Sequence, residues 1–476
     1  MISLSGEVMK SREIPVHVGQ EVILVIDRLG YRAEGVARFE GFTVFVPGAL
    51  PGERVAAKIN QVEKSYAVAA LVAITEPSSS RQVARCPVYD QCGGCQLQHM
   101  PYEEQLEWKR QVVLDAFTRI GHFSYEEISP KVFATRGMDN PWRYRNKVNV
   151  AVAKQGGKFV AGFVEEGTHE PVAAAQCLIR PVIHDKLLAK TVGILADLDC
   201  EPYDEQKRTG DVRQIVIRTT SRDEAMVVIV LAHEAQQQMN TFCRRLDGFA
   251  KQEGIKLASV VEHIAPPGTR QLYARSAQVL WGKAYLKETL MGLTFRLSSR
   301  SFLQVNPLQT EVLYKLALDS SDLCANDVVF DLYSGIGTLS LLAAQSAKKV
   351  IGVESVPQAV DDAKANARKS GIDNAEFIAG KAEDVVAGLI EAGTLPDVVF
   401  FDPPRAGCDR KVLEAVAKGR PRRIVYVSCN PATLARDLRI LADHGYALAS
   451  AVPVDMFAQT AHVECVVTLN LVVVAQ

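Results

Sequence analysis

Hydrophobic and polar positions alternate in short runs near the start of the chain. This alternation has the period of a half-buried β-strand, in which successive side chains point to opposite faces. Glycine and proline separate the runs, and Pro47-Gly48 and Pro51-Gly52 are the clearest turn signals. The runs occupy residues 21–26, 43–46, 54–59 and 66–72. Short strands at this spacing predict a small, OB-like N-terminal β-barrel over residues 15–74.

A mixture of helix and strand patterns follows and predicts a central α+β domain over residues 75–300. Two apolar runs flank a polar turn, which indicates a β-hairpin, and a helical pattern and one more strand come after it. A further strand is predicted before the hairpin. These elements are predicted at residues 148–152, 212–218, 225–231, 234–252 and 257–264.

A helical pattern over residues 103–120 begins this central region. Its apolar positions recur every three to four residues, and Gly121 closes the pattern. Lys109 and Arg110 lie off the apolar face. Basic residues in that position could contact phosphates but are usually only solvated, so we expect this face of the helix to meet solvent.

From about residue 301 onwards, strands alternate with helices. This order is typical of βαβ units, which form a parallel sheet with helices on its faces. We therefore predict a C-terminal α/β domain with a Rossmann-like sheet over residues 301–476, in which ligands bind at the carboxyl ends of the strands. The predicted strands lie at residues 328–331, 349–353, 398–401, 424–427 and 466–474.

Composition limits the classes of function. The chain has 476 residues, of which 48% are hydrophobic and 23% are charged, and its net charge is −1. This length fits several domains, and the charge balance confines any nucleic-acid binding to local patches. The chain has no apolar run of 18 residues and no signal-peptide pattern, which predicts a cytoplasmic protein without a membrane partner. No obligate protein partner is evident.

Ten cysteines in such a protein favour metal binding or catalysis over a disulfide framework. Cys86, Cys92 and Cys95 fall within ten residues, and only two glycines separate the last two. This spacing lets three sulfurs converge on one metal centre, and both zinc and an iron–sulfur cluster accept thiolate ligands. The spacing leaves the fourth ligand open among His99, Cys177, Cys200 and Cys243.

The hexapeptide from Trp142 to Lys147 interleaves aromatic and cationic residues directly before a predicted strand. Aromatic faces stack on unpaired bases, and cations hold phosphates. The hexapeptide therefore favours contact with single-stranded RNA, with an ordinary surface strand as the alternative.

Two glycines after the first strand of the C-terminal domain predict a nucleoside-binding turn. The segment from Asp331 to Gly337 ends in Gly-Ile-Gly, a helical pattern follows, and the next strand ends at Glu354. The glycines let a ligand approach the helix N-terminus, and the acid can accept both ribose hydroxyls. The third glycine of the dinucleotide fingerprint is missing, which favours a nucleoside cofactor such as S-adenosylmethionine (SAM).

Three polar residues lie at or near strand ends in the same domain. Asp402 follows an apolar strand and precedes two prolines, and Cys429 follows the strand at 424–427. Glu464 is flanked by apolar residues, and a sheltered acid is either paired or chemically employed. The helical pattern after Cys429 places a helix N-terminus beside this thiol, which would help to activate it.

A thiol, a cofactor-side acid and a sheltered acid suggest covalent assistance to carbon methylation. A thiolate can add to carbon 6 of uracil, and carbon 5 of the resulting enolate can then accept the SAM methyl group. A base must afterwards remove the carbon-5 proton. Cys429 suits the first role and Glu464 suits the second. Two alternative functions are methylation of a base amino group and non-catalytic RNA binding. Methylation of an amino group needs no thiol, and a non-catalytic RNA-binding protein needs neither Cys429 nor Glu464.

These segments together resemble the RNA uracil-5-methyltransferase family, in the branch that carries a TRAM domain and an iron–sulfur cluster. The most specific match is Ser428-Cys-Asn-Pro431 with the downstream His462-Val-Glu464. One departure is Ala458, where the family usually has proline. The other matching segments are residues 16–73 for the RNA-binding TRAM barrel, the cysteines from Cys86 to Cys95, and residues 144–147, 301–307, 331–337 and 402–405.

The resemblance implies roles for individual residues. Cys429 would be the nucleophile, and Glu464 would be the base that abstracts the proton. The helix at 103–120 would pack on the catalytic domain rather than on the central one. SAM would bind against Gln304, Tyr333, Glu354 and Asp402. A 4Fe–4S cluster would be held by Cys86, Cys92, Cys95 and Cys177.

The resemblance also implies the activity, which is SAM-dependent formation of 5-methyluridine in 23S ribosomal RNA. Family members restricted to transfer RNA in many bacteria lack both the TRAM barrel and the cluster. The alternative is the same reaction on the T-loop uridine of transfer RNA, because some TRAM-bearing relatives act there.

Overall fold

A computed structural model describes residues 14–269, 272–273 and 277–472. Contacts within the described chain divide it into two compact units. The first unit comprises the residues up to Arg85 together with Gln96–Gln105, and the second comprises Cys86–Cys95 and the residues from Leu106 onwards. The predicted boundaries at residues 74 and 300 stay predictions. Within the described ranges, no helix is both long enough and apolar enough to cross a lipid bilayer.

Five strands of the first unit close into the predicted barrel. They are β1 (Glu21–Leu29), β2 (Gly35–Phe39), β3 (Phe42–Val46), β4 (Arg54–Val62) and β5 (Tyr66–Glu76). The order is β1-β2-β3-β5-β4, and β4 pairs with β1 to close the barrel. On β1, Val22, Leu24 and Ile26 are buried while their neighbours are exposed, so the alternation fills the barrel interior. Gly48 and Gly52 both have a φ of 81°, which explains the Pro-Gly pairs.

Helices α1 (Tyr102–Arg119) and α2 (Tyr125–Ile128) precede the sheets of the second unit. The helical pattern predicts α1 correctly, but the expectation of a solvated Lys109 is wrong. Lys109 is fully buried, and its ammonium group lies 2.5 Å from the Asp455 carboxylate and 3.1 Å from the Phe457 carbonyl oxygen. The counter-charge is 346 residues away in sequence, where the helical period gives no sign of it.

A seven-stranded sheet forms the middle of the second unit. Its strands are β6 (Lys147–Gln155), β7 (Lys158–Val164), β8 (Pro171–Val172), β9 (Val212–Thr219), β10 (Glu224–Leu231), β11 (Lys256–Ile264) and β12 (Ala277–Gly282). The order is β12-β11-β10-β9-β6-β7-β8. The predicted hairpin is confirmed as β9 and β10, and β11 runs parallel to β10.

The two faces of this central sheet have different partners. Helices pack on one face, in a core that includes Ile215 and Ile217. On the opposite face, Val216 and Met226 join a core shared with the C-terminal sheet. Because both faces are covered, β9 and β10 are buried at almost every position and show no alternation. The helices are α3 (Val182–Asp197) and α4 (Gln236–Gln252), and a hairpin of β13 (Leu286–Leu290) and β14 (Leu293–Leu297) follows.

The C-terminal part of the second unit is the predicted Rossmann-like sheet flanked by helices. Its strands are β15 (Val328–Leu332), β16 (Lys349–Glu354), β17 (Ala375–Ala379), β18 (Val398–Phe401), β19 (Arg423–Ser428), β20 (Tyr446–Val454) and β21 (Glu464–Leu471). Its helices are α5 (Pro307–Ser321), α6 (Thr338–Ala343), α7 (Pro357–Ser370), α8 (Ala382–Glu391), α9 (Arg410–Gly419) and α10 (Pro431–Asp443). The predicted end of the last strand, residues 473–474, lies outside the described residues.

The strand order β17-β16-β15-β18-β19-β21-β20 has a switch point between β15 and β18. The chain runs outwards from β15 to β17 and then returns to β18 on the other side of β15, and all these pairs are parallel. Loops that leave a sheet at a switch point diverge and open a crevice at the carboxyl ends of the strands. The ends of β15 and β18 therefore mark where a ligand can bind.

Candidate active site

Cys429 and Glu464 lie opposite each other at the carboxyl end of β19. Ser428 pairs with Cys465 in the antiparallel ladder between β19 and β21, so the next residues outwards are Cys429 and Glu464. Helix α10 begins two residues after the thiol. The Asn430 side chain accepts a hydrogen bond of 3.1 Å from the backbone N–H of Ala432, which caps the helix and fixes the turn that carries the thiol.

Glu464 is a buried acid with a second acid nearby. It is 3% exposed, and burial raises its pKa well above the usual range. The charge of Asp402 raises the pKa of Glu464 further, and the Arg405 guanidinium opposes the rise. Burial and the charge of Asp331 raise the pKa of Asp402 to about 7. Burial therefore favours the protonated form of Glu464 in the ligand-free protein.

The Cys429 thiol is also protonated in the ligand-free protein. Burial raises its pKa to about 11, the charge of Glu464 adds to the rise, and Arg405 opposes it. The expected activation of the thiol by the start of α10 is therefore not sufficient by itself. Arg405 is the cation that favours the ionised forms of both the thiol and the acid.

The loop that carries Arg405 is tied to α10. The Arg405 carbonyl oxygen accepts hydrogen bonds from Asn430 Nδ2 at 3.0 Å and from Thr433 Oγ1 at 3.2 Å. The Arg405 guanidinium lies 3.4 Å from His462 Nε2. Burial and the Arg405 charge lower the pKa of His462 to about 4, so this ring is neutral. Arg405 and His462 were not among the predicted site residues, although both stand in the matching segments.

A cavity opens at the switch point, where β15 and β18 end. It holds about 360 Å³ not filled by protein atoms, including space open to solvent. Asp331, Tyr333 and Asp402 line it. The remaining lining residues are Phe302, Leu303, Tyr314, Ser334, Gly335, Ile336, Thr338 and Leu339. The cavity thus lies beside the acid cluster of Asp402 and Glu464.

The turn after β15 has an unusual backbone. Tyr333 has a φ of 71°, a region that bulky residues rarely adopt, and its N–H donates to the Val353 carbonyl oxygen at 2.9 Å. Gly337 has a φ of 82°, and a Cβ there would lie 2.8 Å from the Phe377 ring, so glycine is required. Backbone conformations of this kind are concentrated at ligand sites.

The four predicted cofactor residues differ in how they relate to this cavity. Tyr333 and Asp402 form part of its wall. Glu354 supports the glycine turn, because its carboxylate accepts a hydrogen bond of 3.1 Å from the Gly335 N–H. Gln304 is buried directly after the lining residue Leu303.

Asp331 and Tyr314 extend the acid cluster beyond the predicted site residues. Asp331 is buried, accepts a hydrogen bond from the Ser340 hydroxyl, and has a pKa raised to about 6 by burial. Burial, with the charges of nearby acids, raises the pKa of Tyr314. Asp331 begins the glycine motif and could have been found from it, whereas Tyr314 lies on α5 without any sequence signal.

The segment from Cys86 to Cys95 approaches β7. Cys92 forms a β-bridge with Glu165, and the Gly93 N–H donates to the Val164 carbonyl oxygen at 2.9 Å. A Cβ on Gly93 would lie 3.1 Å from that oxygen, so the missing side chain permits the close approach.

The predicted cluster ligands all lie in the second unit, and none of the four forms a disulfide. Burial raises the pKa of Cys92, and the charges of Cys177 and Cys86 add to this rise, so these three thiols influence one another. Within the described ranges, no three histidine, cysteine or acidic side chains are arranged to hold a metal ion. The donor set has the chemistry of a four-thiolate site, whose sulfurs would have to converge on the bound group.

The hexapeptide before β6 is not the exposed strip that its pattern favours. Tyr144 is 6% exposed, and its hydroxyl donates to the Ala458 carbonyl oxygen at 3.0 Å. Arg143 donates to the Cys177 carbonyl oxygen at 2.6 Å and pairs with Asp185. Tyr144 therefore cannot stack on an RNA base, because its ring is buried and its hydroxyl group is hydrogen-bonded inside the protein.

Sequence comparison relates this geometry to known proteins. The profile described as tRNA (Uracil-5-)-methyltransferase matches residues 102–472, and the TRAM domain profile matches residues 15–72. The chain belongs to the RNA uracil-5-methyltransferase family. Its barrel is a TRAM domain, and its activity is SAM-dependent methylation of uracil carbon 5 in RNA.

Relatives in this family are similar over nearly the whole chain. An uncharacterized RNA methyltransferase of Listeria monocytogenes serotype 4b is 43% identical over 453 residues, which cover 95% of this chain and 98% of that protein. One from Clostridium tetani is 41% identical over 465 residues, covering 96% and 98%. The solved Pyrococcus abyssi tRNA (uracil-54, C5)-methyltransferase, in complex with S-adenosyl-L-homocysteine, has a TM-score of 0.72 at 24% identity, covering 94% of this chain and 100% of that one, and shares the fold.

Proposed function

We propose that this methyltransferase forms 5-methyluridine in 23S ribosomal RNA, with Cys429 as the nucleophile and Glu464 as the base. The observation that carries the proposal is the pairing of Ser428 with Cys465, which sets the thiol opposite the acid beside a cavity lined by Asp402. In this proposal residues 15–74 and 75–300 bind RNA, residues 301–476 carry out catalysis, and the reaction takes place in the cytoplasm.

The first step is the addition of Cys429 to the base. The partly exposed thiol releases its proton to solvent, with the Arg405 charge favouring the thiolate, and Sγ forms a bond to carbon 6 of uracil. The electron pair of the carbon 5–carbon 6 double bond moves to oxygen 4 as an enolate. Carbon 5 of this enolate then takes the methyl group of SAM, and S-adenosylhomocysteine is released.

The second step restores the aromatic base. Glu464 acts as its carboxylate, the form that the Arg405 charge favours. The carboxylate then removes the proton from carbon 5, the double bond re-forms, and the bond between carbon 6 and Sγ breaks. The carbon-5 proton then passes from Glu464 to the Cys429 thiolate, so the balance is one methyl group transferred and one proton, the original thiol proton, released to solvent. Burial of Glu464 keeps water away from this exchange and holds the acid against the adduct.

The cavity at the switch point is the proposed SAM site. Tyr333 and Asp402 would contact the donor, Gln304 would support it, and Glu354 would orient the turn that meets the ribose. The cavity wall fits a nucleoside donor, because it combines a glycine turn with apolar side chains and two acids of raised pKa, Asp331 and Asp402. An ionised Asp402 would favour the positively charged sulfonium.

A 4Fe–4S cluster is proposed on Cys86, Cys92, Cys95 and Cys177, with zinc as the alternative. The support is the spacing of the first three thiols, the absence of a disulfide at any of the four, and the effect of Cys177 and Cys86 on the Cys92 pKa. A bound cluster would cross-link the segment 86–95 to Cys177. Methyl transfer involves no change in oxidation state of the protein, so the proposed role is structural or in RNA contact.

The choice of ribosomal RNA rests on the TRAM barrel and the cysteines. A second candidate is the T-loop uridine of transfer RNA. It is favoured by the fold of the Pyrococcus abyssi enzyme, which is named for uracil 54 of tRNA and aligns with 94% of this chain.

The test is methyl transfer from labelled SAM into total RNA that lacks 5-methyluridine, followed by size fractionation. Label in 23S RNA is expected with the wild type and with C324A, a matched exposed cysteine of the same sheet domain. The C429A variant is expected to lose at least about 10³-fold in rate, because it removes the nucleophile. Label in the transfer RNA fraction would move the substrate to the second candidate. Full activity of C429A would refute the mechanism.

A further inference from the structure

Two cations lie directly opposite each other on neighbouring strands of the central sheet. Lys147, the first residue of β6, pairs directly with Arg218 near the end of β9. Side chains directly opposite in an antiparallel pair are separated by about 5 Å at Cβ, and like charges in such a pair are destabilising. Arg145 lies two residues before Lys147, and its Nε donates to the Lys147 carbonyl oxygen at 3.2 Å. Three positive charges are thus gathered at one end of the sheet.

The charges of this cluster are only partly compensated within the part of the chain that the structure describes, where Glu288 is the acid whose charge reaches Arg218. Among the described residues, no ion pair is formed by Lys147, Arg145 or Arg218. The Arg218 guanidinium donates to the carbonyl oxygens of Ser298 at 3.1 Å and Ser301 at 2.7 Å, which are neutral acceptors. The charge of the cluster is therefore unbalanced.

Burial lowers the pKa values of two of the three cations. Burial lowers the pKa of Lys147 to about 7, and the charges of Arg218 and Arg145 add to the effect. Burial lowers the pKa of Arg218 to about 10, partly offset by Tyr273 and Glu288. The Glu288 carboxylate accepts hydrogen bonds from Ser221 and Thr289, so its charge acts on Arg218 without forming an ion pair with it.

The cluster borders the active site on two sides. Arg218 holds the carbonyl of Ser301, and the next two residues, Phe302 and Leu303, line the donor cavity. The Arg145 guanidinium lies over the ring of Phe457, 6.0 Å from its centroid, in the loop that leads to Glu464. An anion held here would therefore lie next to the reacting base.

We propose that Lys147, Arg145 and Arg218 bind a backbone phosphate of the RNA strand next to the target uridine. This inference rests on the proposed RNA methylation. A phosphate supplies the missing negative charge and several acceptor oxygens, which offsets the like-charge contact across β6 and β9. Half-buried Lys147 donates to the phosphate, and buried Arg218 acts through its charge.

The test compares K147Q with K154Q. Lys154 lies on the same strand, but its ammonium group pairs with Glu201 at 2.8 Å and is well exposed. Binding of a fluorescent, uridine-rich, single-stranded 20-mer RNA is measured by anisotropy over a KCl series. K147Q is expected to reduce the slope of log Kd against log salt by about 0.7, which is about fivefold weaker binding at 0.1 M salt, and K154Q is expected to match the wild type.

Three further readouts keep the outcome decisive. The unfolding temperature of K147Q is expected to equal or exceed that of the wild type, because a repulsive contact is removed, and a clear decrease would indicate a structural role instead. SAM affinity is expected to stay unchanged; a loss of it with normal RNA binding would assign the cluster to the SAM carboxylate and overturn the proposal. An unchanged salt slope in K147Q, or the same reduction in K154Q, would also overturn it.

The methylation assay separates the two levels of inference. If K147Q loses RNA affinity but the wild type modifies no uridine, the phosphate site stands and the proposed function fails. If the wild type methylates uridine and K147Q keeps its salt slope, the function stands and the phosphate site fails.

Discussion

The ammonium group of Lys109 lies 2.5 Å from the carboxylate of Asp455, and solvent reaches neither side chain. The same ammonium donates to the Phe457 carbonyl oxygen at 3.1 Å. These contacts fix the beginning of the loop that ends at Glu464. Burial lowers the Lys109 pKa, and the Asp455 charge opposes this shift. Removal of one partner from a buried pair leaves an uncompensated charge, which costs more than removal of both.

The K109M variant is therefore expected to lose about 3–5 kcal/mol in the free energy of unfolding. Urea denaturation monitored by tryptophan fluorescence measures this change. The matched control is K131M, because Lys131 forms an exposed pair with Glu127 at 3.5 Å, and the expected change there is within about 0.5 kcal/mol. The double variant K109M/D455L should lose less than K109M alone; an equal or greater loss would show that the two charges do not act as a pair.

The E464Q variant is expected to trap the covalent intermediate. Glutamine fills the same space but cannot remove the carbon-5 proton, so Cys429 stays bonded to carbon 6. Turnover should fall by about 10²–10⁴-fold, and a protein–RNA species should survive denaturing electrophoresis. E376Q, which alters an exposed acid on β17, should match the wild type. If E464Q formed no adduct, Glu464 would not be the base. If the adduct persisted in C429A/E464Q, Cys429 would not be the nucleophile.

Affinity for SAM is expected to depend on pH through Asp402. The pKa of this acid is about 7, so it becomes negatively charged as the pH rises from 6 to 8 and then attracts the sulfonium. Calorimetry should show about tenfold tighter SAM binding at pH 8 than at pH 6, and no such change for uncharged-sulfur S-adenosylhomocysteine. D402N should remove the difference between the two ligands. Equal pH profiles for both ligands with the wild type would exclude a contact between Asp402 and the sulfonium.

The same shift affects stability with a definite sign. The pKa of Asp402 is higher in the folded protein than the ordinary value of 3.8, so the folded state binds more protons between these limits. The contribution of this acid to the free energy of unfolding is full below about pH 4 and is lost as the pH rises to about 7. D402N should flatten this decline in the ligand-free protein.

Iron analysis tests the cysteine site. Anaerobically purified protein is expected to be brown and to contain about four iron atoms per chain. C92S and C177S should lose most of the iron, whereas C243S, which removes a buried thiol of α4, should keep it. If the protein contained stoichiometric zinc and no iron, the site would be a zinc site and the proposed cluster would be wrong. Full iron in C177S would assign the fourth ligand to another residue.

Much of the fold follows from local pattern. The barrel strands alternate, five of the seven strands in the C-terminal sheet are predicted from short apolar runs, and their order in the chain predicts the parallel sheet. Strands β17 and β20 were missed. β12 was missed because most of its side chains are exposed, so it carries no hydrophobic period. The β13–β14 hairpin was missed because its turn uses Met291 with a φ of 46°, where asparagine or aspartate is the usual signal.

The site was predicted as residue types at strand ends, and its geometry was not. The placement of Glu464 opposite Cys429 depends on β21 entering the sheet beside β19, which no local pattern in either strand reveals. The burial of Lys109 and of Tyr144 depends on partners more than 300 residues away. Long-range pairing of this kind converts residues that look like surface cations or base-stacking aromatics into internal supports.

The register of β21 determines which face of the sheet carries Glu464. Its first six residues are buried on both faces, so no alternation of polar and apolar side chains opposes a slip by one residue. Ladders to β19 and β20 hold the alignment instead. An insertion of one residue within this strand would turn the Glu464 side chain to the face of the sheet opposite the Cys429 thiol. The sheet would stay well packed, so the enzyme would lose activity without unfolding.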